Sequence, residues 1–325
     1  MMKKNSRVAQ VLGIEYPVIS AAMSWVTDAR MVAAVSNAGG LGMLGANAGQ
    51  TELTSSPEET ADRMRNEIRK VRTMTDKPIG AQLMMVGSGG PFVEPLVKVY
   101  EEEDVNVILC LNDVPQEYVD RFHAAGKKVI HKDIFATVES FKKAEEMGYD
   151  AVIVAGVDCG GHSNVKCIGT FTAIRIAKEA TSLPVIAAGG IIDGISVQAA
   201  GILGAEGIYV GSRFCASVES PIAQVTKEKI VELNTDDLVQ VEGIFGPIMS
   251  YPTPDILKCK ELMEDSQAKN AGAITGTYSG GYRTGMLLGG WTEGVGLLDI
   301  GASVGQIKNI LTVQEIMDEF AKGME

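Results

Sequence analysis

Histidine is scarce in this 325-residue chain, with three in all, and tryptophan occurs only twice. The five cysteines, Cys110, Cys159, Cys167, Cys215 and Cys259, form no C-x-x-C pair. An odd, scattered set of thiols excludes a disulfide framework and a structural zinc site, and reduced cysteine fits a cytosolic protein. Basic residues are outnumbered, 29 against 41 acidic ones, for a formal net charge of −12. Nucleic acid is therefore not an expected partner, because phosphate binding needs clustered Lys and Arg. No apolar run reaches the roughly 20 residues of a bilayer span. After Met1-Met2-Lys3-Lys4-Asn5 no apolar segment develops before Glu15, so neither a signal peptide nor a membrane is expected, and the expected location is the cytoplasm.

What is present is alternation. Short, β-branched apolar runs are followed again and again by longer segments with helical spacing. Strands are expected at Pro17–Ala22, Leu41–Ala46, Pro78–Met84, Val105–Cys110, Lys128–Lys132, Ala151–Ala155, Pro184–Ala188 and Gly207–Val210. Each run is nearly continuous in hydrophobicity, as parallel strands buried on both faces require. Between them, Asp28 can cap a helix over Ala29–Asn37, and Ser56-Pro57-Glu58-Glu59 reads as a cap followed by a helix start. Further helices fit Glu94–Glu103, Gln116–Ala125, Thr137–Met147, Phe171–Ala180, Ile195–Leu203 and Pro221–Leu233. Eight strand–helix repeats with short connections predict an α/β fold, a (β/α)8 TIM barrel, over residues 1–234. A doubly wound open sheet is the alternative. From 235 to 300 the pattern breaks into Gly- and Pro-rich stretches around a helix near Lys258–Asn270, and this segment is expected to cover the barrel mouth. Residues 301–325 should end in a helix, Val313–Ala321, that packs back on the barrel.

In such barrels ligands sit at the C-terminal ends of the strands, and phosphate sites are often built after strands 7 and 8. There the chain has Gly189-Gly190 and Gly211-Ser212, where glycine lets consecutive amides approach an anion and serine adds a hydroxyl. Asp193 would oppose an anion unless it faces the next helix cap. His162, on the loop opened by Asp158-Cys159-Gly160-Gly161, is the leading catalytic candidate, its ordinary pKa suiting proton transfer near neutrality. His131, at a strand end, could line the same pocket, while His123 falls in a helix. Cys159 reads as a small residue supporting the loop, since adjacency to His162 establishes no nucleophile pair. No metal site is expected from Asp158, Cys159 and His162, whose spacing matches none. Arg213 is read as a partner for a carboxylate.

These motifs resemble the FMN-dependent family that includes nitronate monooxygenases (2-nitropropane dioxygenases) and the second type of enoyl-acyl carrier protein reductase. The likeness runs in order through Tyr16-Pro17-Val18 to Ala22-Met23-Ser24-Trp25-Val26, Val35-Ser36-Asn37-Ala38-Gly39-Gly40-Leu41-Gly42, Gly160-Gly161-His162, Ala187-Ala188-Gly189-Gly190-Ile191 and Val210-Gly211-Ser212-Arg213-Phe214. It returns near Gly305-Gln306. The resemblance implies FMN with its phosphate on Gly189, Gly190, Gly211 and Ser212, its ring near Ala22, Met23 and Gln82, and Asp158, Gly160 and Gly161 beside a catalytic His162. Trp25-Val26-Thr27-Asp28 looks more like the enoyl reductases. The chain departs from the family at Gln82, commonly Asn, at Asp158-Cys159, commonly Glu-Ala, at Ser163, and at His131-Lys132-Asp133. The implied activity is electron transfer from NADH or NADPH through FMN to an activated alkene such as an enoyl thioester, small or carried by an acyl carrier protein, in a monomer or homodimer. Nitronate oxidation with dioxygen, quinone reduction and, from another class, a non-redox barrel binding a phosphorylated ligand are the alternatives.

Overall fold

Eight apolar runs become eight parallel strands because each has a neighbour on both sides and a buried surface on both faces. The computed structural model describes all residues except 55, 85–89, 112–113 and 244–245, and except the side chains of 243, 267–272, 274–276 and 278–279. The barrel strands are β1 (Val18–Ser20), β2 (Gly42–Leu44), β3 (Ile79–Met84), β4 (Val107–Leu111), β5 (Lys128–Asp133), β6 (Ala151–Ala155), then β8 (Val185–Ala188) and β9 (Gly207–Val210). A two-residue strand outside the barrel, β7 (Gly161–His162), lies between them in sequence. The order around the sheet is β1-β9-β8-β6-β5-β4-β3-β2. The circle closes where Ile19 pairs with Leu41 in parallel, with Ser20 N donating to Leu41 O at 3.0 Å and Leu41 N to Val18 O at 2.8 Å. This is a (β/α)8 TIM barrel.

The unbroken hydrophobicity of the strands has a direct cause. On β4, Val107 and Leu109 point inward to join Ile19, Leu41, Met43, Ile130, Ile153 and Ile186 in the barrel interior. Ile108 and Cys110 point outward and pack under the helices with Val129, Val152 and Val185. Every position along such a strand is therefore apolar, where a half-exposed strand would alternate.

The helices are α1 (Arg7–Leu12), α2 (Ala29–Asn37), α3 (Pro57–Arg72), α4 (Val93–Glu102), α5 (Gln116–Ala124), α6 (Val138–Glu146), α7 (Thr170–Ala180), α8 (Gly194–Leu203), α9 (Ser212–Cys215), α10 (Gln224–Glu232), α11 (Pro254–Tyr282) and α12 (Val313–Ala321). The expected caps form. Asp28 Oδ1 accepts from Met31 N at 2.9 Å, and Ser56 Oγ accepts from Glu59 N at 3.2 Å ahead of Pro57. Each such cap is worth about 1 kcal/mol. Phe320 of α12 meets Phe214 of α9 edge to face at 6.1 Å, which ties the C-terminal helix to the barrel beside the end of β9.

Three features depart from expectation. The N-terminal α1, capped by Ser6, is too short for its period to be seen. The stretch Gly243–Pro254 is not irregular: β10 (Val239–Gly243) and β11 (Gly246–Ser250) form an antiparallel hairpin. Of the glycines after Ala271, Gly272, Gly276, Gly280 and Gly281 sit in helix, since α11 runs to Tyr282 with an interruption at Ser266. Glycine is needed at its end for close approach: a Cβ on Gly281 would lie 2.5 Å from Leu297 Cγ, and one on Gly285, in the helical turn Arg283–Leu287 that follows, would run into Leu297 O. Helical period alone could not reveal this, because the helix packs through its missing side chains.

Candidate active site

The C-terminal ends of the strands open into one cavity of about 680 Å³, within the range of cofactor pockets. Its walls include Ala22, Met23, Gln82, Asp158, Gly160, Gly161, His162, Gly189, Gly190, Gly211 and Ser212. All eleven residues singled out in the sequence are thus brought together.

One end of the cavity is built from backbone. Strands β8 and β9 are neighbours, with Ala188 opposite Tyr209, so the turns that follow them stand side by side. Gly189 and Gly190 take φ of 99° and 73°, a region in which a side chain is strained. Among the described residues, none accepts a hydrogen bond from the amides of Gly189, Gly190 or Gly211. Ser212 Oγ accepts from Gly301 N at 3.0 Å, which leaves its hydroxyl proton to donate into the cavity. Asp193 faces away, as its place before α8 suggested: its Oδ1 accepts from Ser196 N at 2.8 Å in a capping box. A third arm comes from the C-terminal segment Gly301–Ser303, whose Ser303 Oγ lies 3.5 Å from where a Gly190 Cβ would stand. Gly160 lies against it so closely that a Cβ there would be 2.8 Å from Gly301 N. Only the faint likeness near Gly305-Gln306 hinted at this arm.

The other end is built from side chains. Gln82 is 5% exposed, and its Oε1 has no hydrogen-bond partner, an orphaned acceptor at the cavity wall. The turn after β1 is braced by Thr27, whose hydroxyl donates to Met23 O at 3.0 Å and accepts from Gly45 N at 2.9 Å. In that turn Trp25 is buried with φ of 68°, a backbone strain of the kind that gathers at functional sites. Asp158 serves the loop: its Oδ2 accepts from Thr170 N at 2.9 Å and from Thr170 Oγ1 at 2.8 Å, at the start of α7. Cys159 also supports the loop, its Sγ reaching His162 O at 3.6 Å, and burial pushes its thiol up.

His162 is half-buried, and burial together with the neighbouring Lys132 holds its pKa down at about 4. The expectation of a side chain titrating near neutrality is therefore corrected: at pH 7 this imidazole is neutral, a hydrogen-bonding group with no imidazolium proton to give. His131 does not line the cavity. The two-residue period of β5 turns it outward against Tyr149, with ring centroids 5.0 Å apart, and it is Lys132 that faces inward. The Lys132 ammonium stands 5.8 Å from the Tyr209 ring centroid. His123, on α5, pairs with Asp150 at 3.0 Å. Among the described residues Arg213 forms no ion pair: its guanidinium donates to Asn309 O at 3.0 Å, and Glu319 acts on it only at a distance.

The appendage also reaches the site. β7 carries Gly161 and His162, and Ile248 of β11 pairs with His162. Further along β11, Ser250 bridges to Asp299. Asp299 and Tyr282 line the cavity, with Tyr282 Oη donating to Asp299 Oδ2 at 2.6 Å. Neither residue was identified from the sequence, since each sits among glycines without a motif of its own.

The sequence model of the nitronate monooxygenase family matches residues 5–89 and 84–323, nearly the whole chain. The chain belongs to this family. The solved structure of FabK from Thermotoga maritima is 34% identical, with a TM-score of 0.85 over 98% of this chain and 96% of that one. A probable nitronate monooxygenase from Staphylococcus aureus (strain Newman) is 29% identical over 289 residues, 76% of this chain and 78% of that protein. A (3aS,4S,5R,7aS)-5-hydroxy-7a-methyl-1-oxo-octahydro-1H-indene-4-carboxyl-CoA dehydrogenase from Mycobacterium tuberculosis is 32% identical over 247 residues, 75% of this chain. The match spans 65% of that protein's length. Membership supports a flavin-type oxidoreductase over a non-redox phosphate-binding barrel. Among the described residues, no helix is long and apolar enough to cross a membrane.

Proposed function

We propose that the protein is an FMN-dependent reductase that transfers electrons from NADH or NADPH to an activated alkene, of which an enoyl thioester is the best-fitting class. The observation that carries this reading is the juxtaposition of unspent amides at the ends of β8 and β9 with His162 in one cavity. The phosphate would lie on Gly189, Gly190, Gly211 and Ser212, where amides carry no internal bond and a Cβ on Gly190 would intrude. The ring would lie along Ala22, Met23 and Gln82, whose orphaned Oε1 can accept from a ring N–H. The chemistry FMN supplies when bound is hydride transfer from a reduced nicotinamide to the β-carbon of the alkene.

The chain's own residues then bind, orient and polarise. Neutral His162 can donate a ring N–H to the substrate carbonyl oxygen, and its low pKa means that it does so throughout the physiological range. Lys132 places a positive charge at the cavity wall, where it favours negative charge that develops on the bound molecules. An acyl thioester is favoured because one relative is named for a carboxyl-CoA substrate. A second reading, oxidation of alkyl nitronates with dioxygen, has one observation in its favour: the Lys132 ammonium would attract an anion. An acyl carrier protein as donor of the acyl group, and a homodimer, belong to the same proposal.

The test is an anaerobic reduction and reoxidation series. The protein should bind FMN, bleach with NADH or NADPH, and recolour on adding an enoyl thioester in the absence of oxygen. Recolouring only with oxygen, together with bleaching by an alkyl nitronate, would replace this reading with the second.

A further inference from the structure

A reduction of this kind needs a proton for the α-carbon, and the site geometry limits who can give it. Tyr282 Oη is 2.6 Å from Asp299 Oδ2 and 4.0 Å from where a Cβ on Gly161 would stand, which places it beside His162. Both residues line the cavity. Asp299 is 7% exposed, and its Oδ1 has no hydrogen-bond partner. β10 takes one edge of β11, and β7 and then Asp299 pair along the other edge, which fixes Asp299 in line with the histidine. Resting on the reductase reading above, we infer that Tyr282, backed by Asp299, is the catalytic acid that protonates the substrate.

The balance is simple. The β-carbon receives hydride, with the reduced nicotinamide as the two-electron donor. In the reacting state Asp299 is protonated and donates to Tyr282 Oη across the 2.6 Å contact, and the π pair, moving toward the α-carbon, takes the phenol proton thus freed. The phenolate regains a proton from Asp299, and the carboxylate is reprotonated from solvent. Burial pushes the Asp299 carboxyl up to about 6, against the hydrogen bond from Tyr282 and the nearby Ser250 hydroxyl, which pull it down. A carboxylic acid in that range suits proton transfer near neutrality, whereas His162 is neutral there. The titratable groups that act on or feel Asp299 are Tyr282 and Cys259, both on α11. Among the described residues no Lys or Arg pairs with it, so no cation holds it ionised.

The experiment uses the FMN-loaded protein and the variants Tyr282→Phe and Asp299→Asn, with crotonyl-CoA as probe. After anaerobic reduction, reoxidation by crotonyl-CoA should slow by about 100-fold or more in Y282F. Wild-type reoxidation should weaken as pH rises through about 6, the range in which the carboxyl loses its proton, and D299N should lack that limb. Independently of turnover, NMR of protein labelled with carboxyl-13C aspartate should show one resonance titrating near pH 6 that D299N removes and Y282F moves upward. A wild type that crotonyl-CoA reoxidises, matched in rate by Y282F, overturns the inference, and so does the absence of such a resonance whatever the substrate. A wild type that crotonyl-CoA does not reoxidise overturns the reductase reading instead, and the two failures leave different traces.

Discussion

The barrel and the appendage make the same cavity by opposite means. The barrel contributes position through backbone: paired turns after β8 and β9 whose glycine amides are held in place by the strands beneath them. The segment from β10 to Asp299 contributes side-chain chemistry, Tyr282 on Asp299, and holds it against the histidine by strand pairing. On the proposed reading, what binds is built into the backbone of the barrel, and what reacts is partly brought by the added piece. Altering the first should cost cofactor; altering the second should cost reaction or pH behaviour while the cofactor stays.

The largest effect should come from Gly190→Val. Its φ of 73° strains any side chain, and the Cβ enters the space between Ser303 and Asp158. Losing even one or two hydrogen bonds to a charged group, each worth about 1.5–3 kcal/mol, should weaken FMN binding by about 100-fold or more, measured by equilibrium dialysis. His162→Ala should instead retain FMN and slow reoxidation by an enoyl thioester by about 100-fold, as for removal of one well-placed donor. Equal loss of FMN in this variant would erase the distinction.

Asp299→Asn sharpens the comparison through stability. The folded carboxyl titrates at about 6 against a usual 3.8, so between those values the folded state holds a proton that the unfolded chain has lost. Its stabilising contribution is complete below the unfolded value and disappears as pH rises through the folded one. D299N removes this decline, and its stability relative to wild type should gain up to about 3 kcal/mol between pH 4 and pH 7, read from urea midpoints. His162 works in the other direction. Its folded pKa of about 4 lies below the usual 6.5, so its contribution is present above 6.5 and is lost as pH falls toward 4. In wild type the two oppose each other, and in D299N the histidine's share adds, unopposed by Asp299, to the rise of stability with pH that carboxylates held low, such as Glu103 and Asp150, also give. The smallest effect should be that of Gly285→Ala, where the new Cβ forces the helical turn Arg283–Leu287, which continues α11, away from Leu297. A cost of about 1–3 kcal/mol confined to the appendage should appear as faster amide exchange there, with FMN retained.

The same contrast decides what could be read in advance. The barrel was legible because most strands are apolar on both faces and several helices, α2, α3 and α12 among them, begin with a recognisable cap, so that Ala29–Asn37, Ala151–Ala155, Gly207–Val210 and Val313–Ala321 coincide with their expected limits. The cavity followed, since glycine pairs at strand ends report close backbone approach. The appendage was not legible, because glycines inside α11 imitate a loop in composition while they serve helix packing. Tyr282 and Asp299, 17 residues apart, meet only through that packing. His162 was found, but not its protonation state, which depends on burial and on Lys132, an inward neighbour visible only once the period of β5 is fixed.

The most direct measurement is the visible spectrum of the purified protein after incubation with FMN and desalting, for wild type and Gly190→Val side by side. Wild type should keep one flavin per chain, with an absorption band near that of bound oxidised flavin, while the variant emerges colourless. A wild type that sheds the flavin, or a variant that keeps it equally well, would contradict the assignment of those amides to the phosphate.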